Sequence, residues 1–133
     1  MRTWTSHCMA VGAAALMATS AWALTPAEYK TGHEQINAEY KAAIALCKPQ
    51  QGNAKDVCEK EAKGREKVAG AELNYRSDGS EGNRYKLAKA KADADYDVAK
   101  EKCDDLKGDT KDQCQKTAKA AHQQALSAAQ PAK

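Results

Sequence analysis

Few residues in this chain have the chemistry for a site, and four cysteines lead them. Cys47 and Cys58 are separated by ten residues, as are Cys103 and Cys114, and the second pair follows the first at an offset of 56. A redox-active pair needs a thiol of depressed pKa, typically in Cys-x-x-Cys at a helix start. Ten intervening residues, with Pro49 and Gly52 among those of the first pair, suit a structural staple instead. The fifth cysteine, Cys8, falls within residues 1–23, which read as a removed signal. The four that remain, an even number in an exported chain, read as disulfides, and four allow three connectivities.

The remaining candidates are sparse. Beyond residue 23 the histidines are His33 and His122, too few for the three or four ligands of a zinc site. Asp93-Ala94-Asp95-Tyr96-Asp97 has the spacing that opens a calcium loop, but Val98 stands where that loop needs glycine at its sixth position. It reads as an acidic helix face. No serine falls in a plausible arrangement with histidine and aspartate, no glycine-rich phosphate loop occurs, and the carboxylates are spread along solvated faces without forming an acid–base pair. The expectation is a protein that is not an enzyme, with no catalytic residue, no metal and no cofactor.

The offset of 56 extends beyond the cysteines. It superposes Tyr29-Lys30 on Tyr85-Lys86, Tyr40 on Tyr96, Gly52 on Gly108 and Lys55-Asp56 on Lys111-Asp112, with 14 identities across the 45 positions 29–73. This is an internal duplication, and each copy reads as helix, short loop, helix. Thr25-Pro26-Ala27-Glu28 is a helix start, with a capping Thr, Pro in the first turn and Glu placed to reach back. From there Tyr29, His33, Ile36, Tyr40, Ala43 and Cys47 form a seam at helical spacing. The matched seam runs Tyr85, Lys89, Ala92, Tyr96, Ala99 and Cys103. Pro49 and Gly52 break the first hairpin and Gly108 the second. Asn53 and Asp109 are positioned to cap the return helices.

This layout puts the two cysteines of each copy at facing ends of antiparallel helices, within the short Cα separation a disulfide requires. Cys47–Cys58 and Cys103–Cys114 are therefore expected. Tyr29, Tyr40, Tyr85 and Tyr96 are the largest side chains at matched positions, and they are either core filling or a partner-binding stripe. The fold class is all-α: two tandem disulfide-stapled helical hairpins, at 24–75 and 85–130. Residues 76–84, polar and glycine-containing, read as a flexible linker. Whether the hairpins dock as a four-helix bundle is left open at this point.

The chain's opening bounds its compartment. Arg2 is the only charge before Glu28, the stretch from Met9 to Thr19 is almost wholly Ala, Val, Leu, Met and Gly, and Ala21-Trp22-Ala23 has the small-x-small pattern of signal cleavage. Residues 1–23 read as a signal peptide cut after Ala23, giving a periplasmic protein with no stable membrane insertion. Their loss leaves 20 basic and 18 acidic residues, a net charge of +2, with no nucleic-acid footprint. It also leaves 16 Leu, Ile, Val and Tyr against 21 Ala. So little large apolar surface makes a thin core, and the staples matter accordingly.

Val57-Cys58-Glu59-Lys60-Glu61-Ala62-Lys63-Gly64, Arg84-Tyr85-Lys86-Leu87-Ala88 and Asp95 through Leu106 carry a resemblance. They resemble a group of small exported Ala/Lys-rich proteins of Gram-negative bacteria, some labelled cell envelope biogenesis, TolA-like. The resemblance implies an envelope compartment and an envelope role. The expected function is a non-enzymatic structural or interaction protein of the periplasm or cell envelope, partnered by another envelope protein, its oligomeric state open. The alternative is a periplasmic ligand- or metal-binding helical module.

Overall fold

The computed structural model describes residues 23–130. The expected signal segment, apart from Ala23, lies outside the described residues. Four helices follow in chain order: α1 (Pro26–Cys47), α2 (Gly52–Asp78), α3 (Glu81–Lys102) and α4 (Gly108–Ala129), with a short 3-10 turn at Cys103–Asp105 before α4. The protein is all-α, and both expected disulfides are present: Cys47–Cys58 with Cα atoms 5.6 Å apart and Cys103–Cys114 at 5.7 Å.

The local signals act as their chemistry dictates. At the start of α1 the Thr25 hydroxyl accepts from the Glu28 backbone N–H, while the Glu28 carboxylate accepts from the Thr25 N–H at 2.8 Å, a complete capping box. That backbone donor, followed by the Thr25 hydroxyl, holds the Glu28 pKa below its ordinary value. Gly52 and Gly108 open the return helices at φ 58° and 55°, a left-handed conformation that any side chain would strain. Asn53 and Asp109 do not cap. Gln51 and Lys107, two residues earlier, occupy the N-cap positions and supply no side-chain bond; the left-handed glycine after each makes the turn. Asn53 instead donates across to the backbone carbonyl of Glu101 at the end of α3, 2.9 Å away.

The segment expected as a flexible linker is helical except at Gly79 and Ser80. Gly79 closes α2 at φ 63°, its N–H bonded to the Tyr75 carbonyl, and the Ser80 hydroxyl caps α3 by accepting from the Asn83 N–H. Asp78 accepts from the Ser80 backbone and from the Asn83 side chain, and those two bonds, in that order, lower its pKa. Polar composition here encodes two consecutive caps, so the joint between the repeats is a tight turn.

The hairpins dock through α2 and α3, and packing runs in chain order: α1 on α2, α2 on α3, α3 on α4. On α3 the residues that meet α2, Ala94 and Glu101, lie on the opposite side from Tyr96 and Cys103, which meet α4. The four helices thus form a flat bundle one helix thick. The core matches the composition: among the described residues Cys47, Ala62, Leu73, Ala92, Ala94 and Cys103 are the buried apolar ones, Leu73 being the one large side chain among them. Close approach is secured by glycine. A Cβ on Gly64 would come within 2.9 Å of the Ala94 Cβ, and one on Gly32 within 2.7 Å of the Leu73 side chain.

Candidate functional site: two faces of one helical layer

A layer one helix thick has two faces, and they differ. On the first face α2 and α3 leave an open groove of about 770 Å³. Its floor is Gly64, Val68, Ala69, Ala94 and Val98, small or β-branched residues, buried or half-buried. Its rim is charged in alternation: Glu61, Arg65 and Glu72 along α2, Lys102, Asp95 and Lys91 along α3. Lys102 Nζ lies 3.2 Å from the Glu61 carboxylate across the groove. That contact and the Gly64–Ala94 approach set the antiparallel register, which brings Arg65 level with Asp95 and Glu72 level with Lys91.

The groove continues past Ala99 into a second depression of about 780 Å³ between α3 and α4, floored by the Cys103–Cys114 bridge, Leu106, Ala118 and Ala121. Leu106 is exposed there, and α4 has no buried residue. The disulfide thus does two jobs, joining the helix ends and giving this depression an apolar floor.

The opposite face is polar. Lys60 pairs with Glu101 at 3.7 Å and Lys67 with Asp97 at 3.6 Å, bridging α2 and α3. Between α3 and α4, His122 Nε2 lies 2.7 Å from Asp93 Oδ1, and the imidazole stacks on the Tyr96 ring with centroids 4.8 Å apart. Lys89 bonds the other Asp93 oxygen. The Lys89 hydrogen bond, more than the one to His122, holds the Asp93 pKa below its ordinary value against the opposing effect of burial. The same bond raises the pKa of Lys89. An aspartate orienting a histidine is half of a general-base arrangement. The groups around it here are Lys89 and Tyr96, and the carboxylate is shared with a lysine, so the arrangement serves as a tie between α3 and α4.

The sequence-derived candidates fall as follows. The four cysteines form the two staples. Tyr29 donates to Asn74 Oδ1 at 2.6 Å and meets His33 edge to face. Tyr40 lines a small cavity with Ile36, Ala43 and Ala62. Tyr96 stacks on His122, and all four tyrosines are half-buried. The three aspartates spaced like a calcium loop diverge: Asp93 to His122 and Lys89, Asp97 to Lys67, and Asp95 to the groove rim. Among the described residues no group of three or more His, Cys, Asp or Glu is arranged to hold a metal ion, and no helix is long and apolar enough to cross a membrane.

Sequence reading missed the groove and the Asp93–His122 contact. The groove residues Val68, Ala94 and Val98 form a second stripe on helices whose first stripe had already been assigned to the hairpin seam. Its signal was present in Gly64 and in the regular alternation of rim charges. No protein family, no curated protein and no solved structure matches this chain.

Proposed function

We propose that the chain is an exported, non-enzymatic interaction protein of the Gram-negative cell envelope, cut after Ala23 and working in the periplasm. One observation carries the reading: an apolar-floored, charge-rimmed groove lies open along the face of a layer that is otherwise one helix thick. Helical domains bury apolar stripes against a second layer. A stripe left open between two helices is the shape that receives helices of another polypeptide. The two disulfides support the compartment, because such bridges persist in oxidising environments. The mixed charge of the rim supports a protein partner over nucleic acid, whose phosphates select one sign.

The test uses the full chain expressed in a Gram-negative host. Mass spectrometry should find the periplasmic form beginning at Leu24. Residues 1–23 retained on a membrane-bound product would refute the export assignment. A photo-crosslinking residue in place of Lys91, on the groove rim, should give discrete protein adducts, and one in place of Lys116, on the polar face, should not. Equal labelling from both faces, or none from either, would remove the groove as a working surface.

A further inference from the structure

We infer that the groove between α2 and α3 is a self-association surface, and that its occupant is the same groove of a second copy. This rests on the reading of the groove as a protein-binding surface and names its partner.

The charges make the case. Along α2 the rim reads negative, positive, negative at Glu61, Arg65 and Glu72. At the same levels α3 reads positive, negative, positive at Lys102, Asp95 and Lys91. A two-fold axis running along the groove sets α2 of one copy over α3 of the other without changing level. Glu61 then faces the second copy's Lys102, Arg65 faces its Asp95 and Glu72 faces its Lys91, and symmetry repeats each pairing. Six rim charges on each copy thus meet opposite charges. A two-fold interface must be self-complementary in this way, and an arbitrary partner would not require it.

The geometry agrees. Because α2 and α3 are antiparallel, the operation leaves every helix antiparallel to both its neighbours, the arrangement of an up-down four-helix bundle. The small floor residues Gly64, Ala69 and Ala94 let the two layers approach closely, and across the axis Val68 faces its own counterpart, as Val98 does at a separate level of the groove. The groove spans residues 61–72 of α2 and 91–102 of α3, about 18 Å along each helix, and at about 10 Å per helix presents roughly 360 Å² per copy. The total of about 720 Å² is below that of standard interfaces and fits a weak, concentration-dependent association. The second copy supplies the second layer that a one-layer fold lacks.

The experiment uses the full mature chain with both disulfides intact. Sedimentation velocity over a concentration series should show a monomer–dimer equilibrium. Arg65→Glu alone, or Asp95→Arg alone, sets like charges together twice per dimer and should weaken association by more than about tenfold. An equimolar mixture of the two variants should restore it, because the heterodimer pairs each changed charge with its opposite. Both positions are exposed, and circular dichroism checks that each variant is folded. A native chain that stays monomeric at high concentration, or variants that dissociate without recovery on mixing, would overturn the inference. Photo-crosslinking from Lys91 in cells separates this failure from that of the wider reading. An adduct of twice the chain mass supports self-association. Adducts with other proteins alone overturn it while leaving the groove a partner surface, and absence of any adduct removes both.

Discussion

Asp93 and His122, 29 residues apart in the chain, meet at 2.7 Å across the α3–α4 seam. The duplication places Asn37 and Glu66 at the corresponding positions of the first hairpin, so this tie belongs to the second copy alone. It reinforces the hairpin whose return helix buries nothing.

Its pH dependence has a definite sign. The Asp93 pKa is lowered in the folded chain, by the Lys89 bond first and the His122 bond second. A depressed carboxylate stabilises the fold fully above its ordinary value of 3.8 and loses that contribution as pH falls through the folded value. Thermal unfolding of the native chain and of Asp93→Asn should therefore differ near neutral pH, with the variant melting lower. The gap should narrow as pH falls below 3.8. A gap that stays constant as the pH is lowered below that value would show that the carboxylate charge is not what ties α4 down.

How much of this was legible in the sequence depends on how many neighbours a helix has. A helix with one neighbour shows one seam, and the spacing of Tyr29, Tyr40 and Cys47 located that of α1. The inner helices α2 and α3 pack on both sides and also carry the groove floor. In so alanine-rich a chain their extra stripes differ from solvent-facing alanine only by position. Gly64 and Ala94 carry little hydrophobic signal, yet α2 and α3 come so near there that a Cβ on Gly64 would lie 2.9 Å from that of Ala94. The Asp78–Asn83 joint was misread for a related reason: a C-cap glycine followed by an N-cap serine has the same composition as a flexible linker.

Gly64 and Gly70 offer a matched comparison on one helix. Extra volume at Gly64 is driven into Ala94, whereas a Cβ at Gly70 meets nothing within 4 Å. Gly64→Val should destabilise by ~1–3 kcal/mol through overpacking. Gly70→Ala should stabilise by ~0.5–1 kcal/mol, since alanine loses less backbone entropy in a helix. Urea unfolding of both variants measures the contrast. Equal effects would mean that α2 and α3 do not approach at Gly64.

The turn glycines should behave alike because the repeat copies their conformation. Gly52 and Gly108 have open space around the Cβ position but φ of 58° and 55°. Alanine at either site should cost ~1–2 kcal/mol from backbone strain alone, and asparagine, which tolerates this region better, should cost less. Unfolding of the four single variants would expose any inequality between the copies. A stabilising alanine at either position would contradict the left-handed assignment.

The two staples should not be equally important. Each closes a loop with cysteines 11 residues apart, worth ~3 kcal/mol apiece in the chain-entropy account. What differs is the surrounding core. In the first hairpin α1 and α2 bury Cys47, Ala62, Gly64 and Leu73, and α2 also gains the whole contact with α3. In the second, α3 buries Ala92 and Ala94 and the short turn Cys103, but α4 buries no residue and packs on α3 and that turn. The repeat explains this: positions held by Val57, Val68 and Leu73 in α2 are Gln113, Gln124 and Ala129 in α4. Replacing Cys103 and Cys114 with Ser should thus release α4 at a lower temperature than the same change at Cys47 and Cys58 releases α1. In hydrogen exchange, residues 108–129 should lose protection while α2 and α3 keep theirs. If residues 26–47 exchange first instead, the Asp93–His122 tie and the Tyr96 stacking hold α4 more strongly than its burial implies. Asp93→Asn added to the Cys103/Cys114 double variant would then release it.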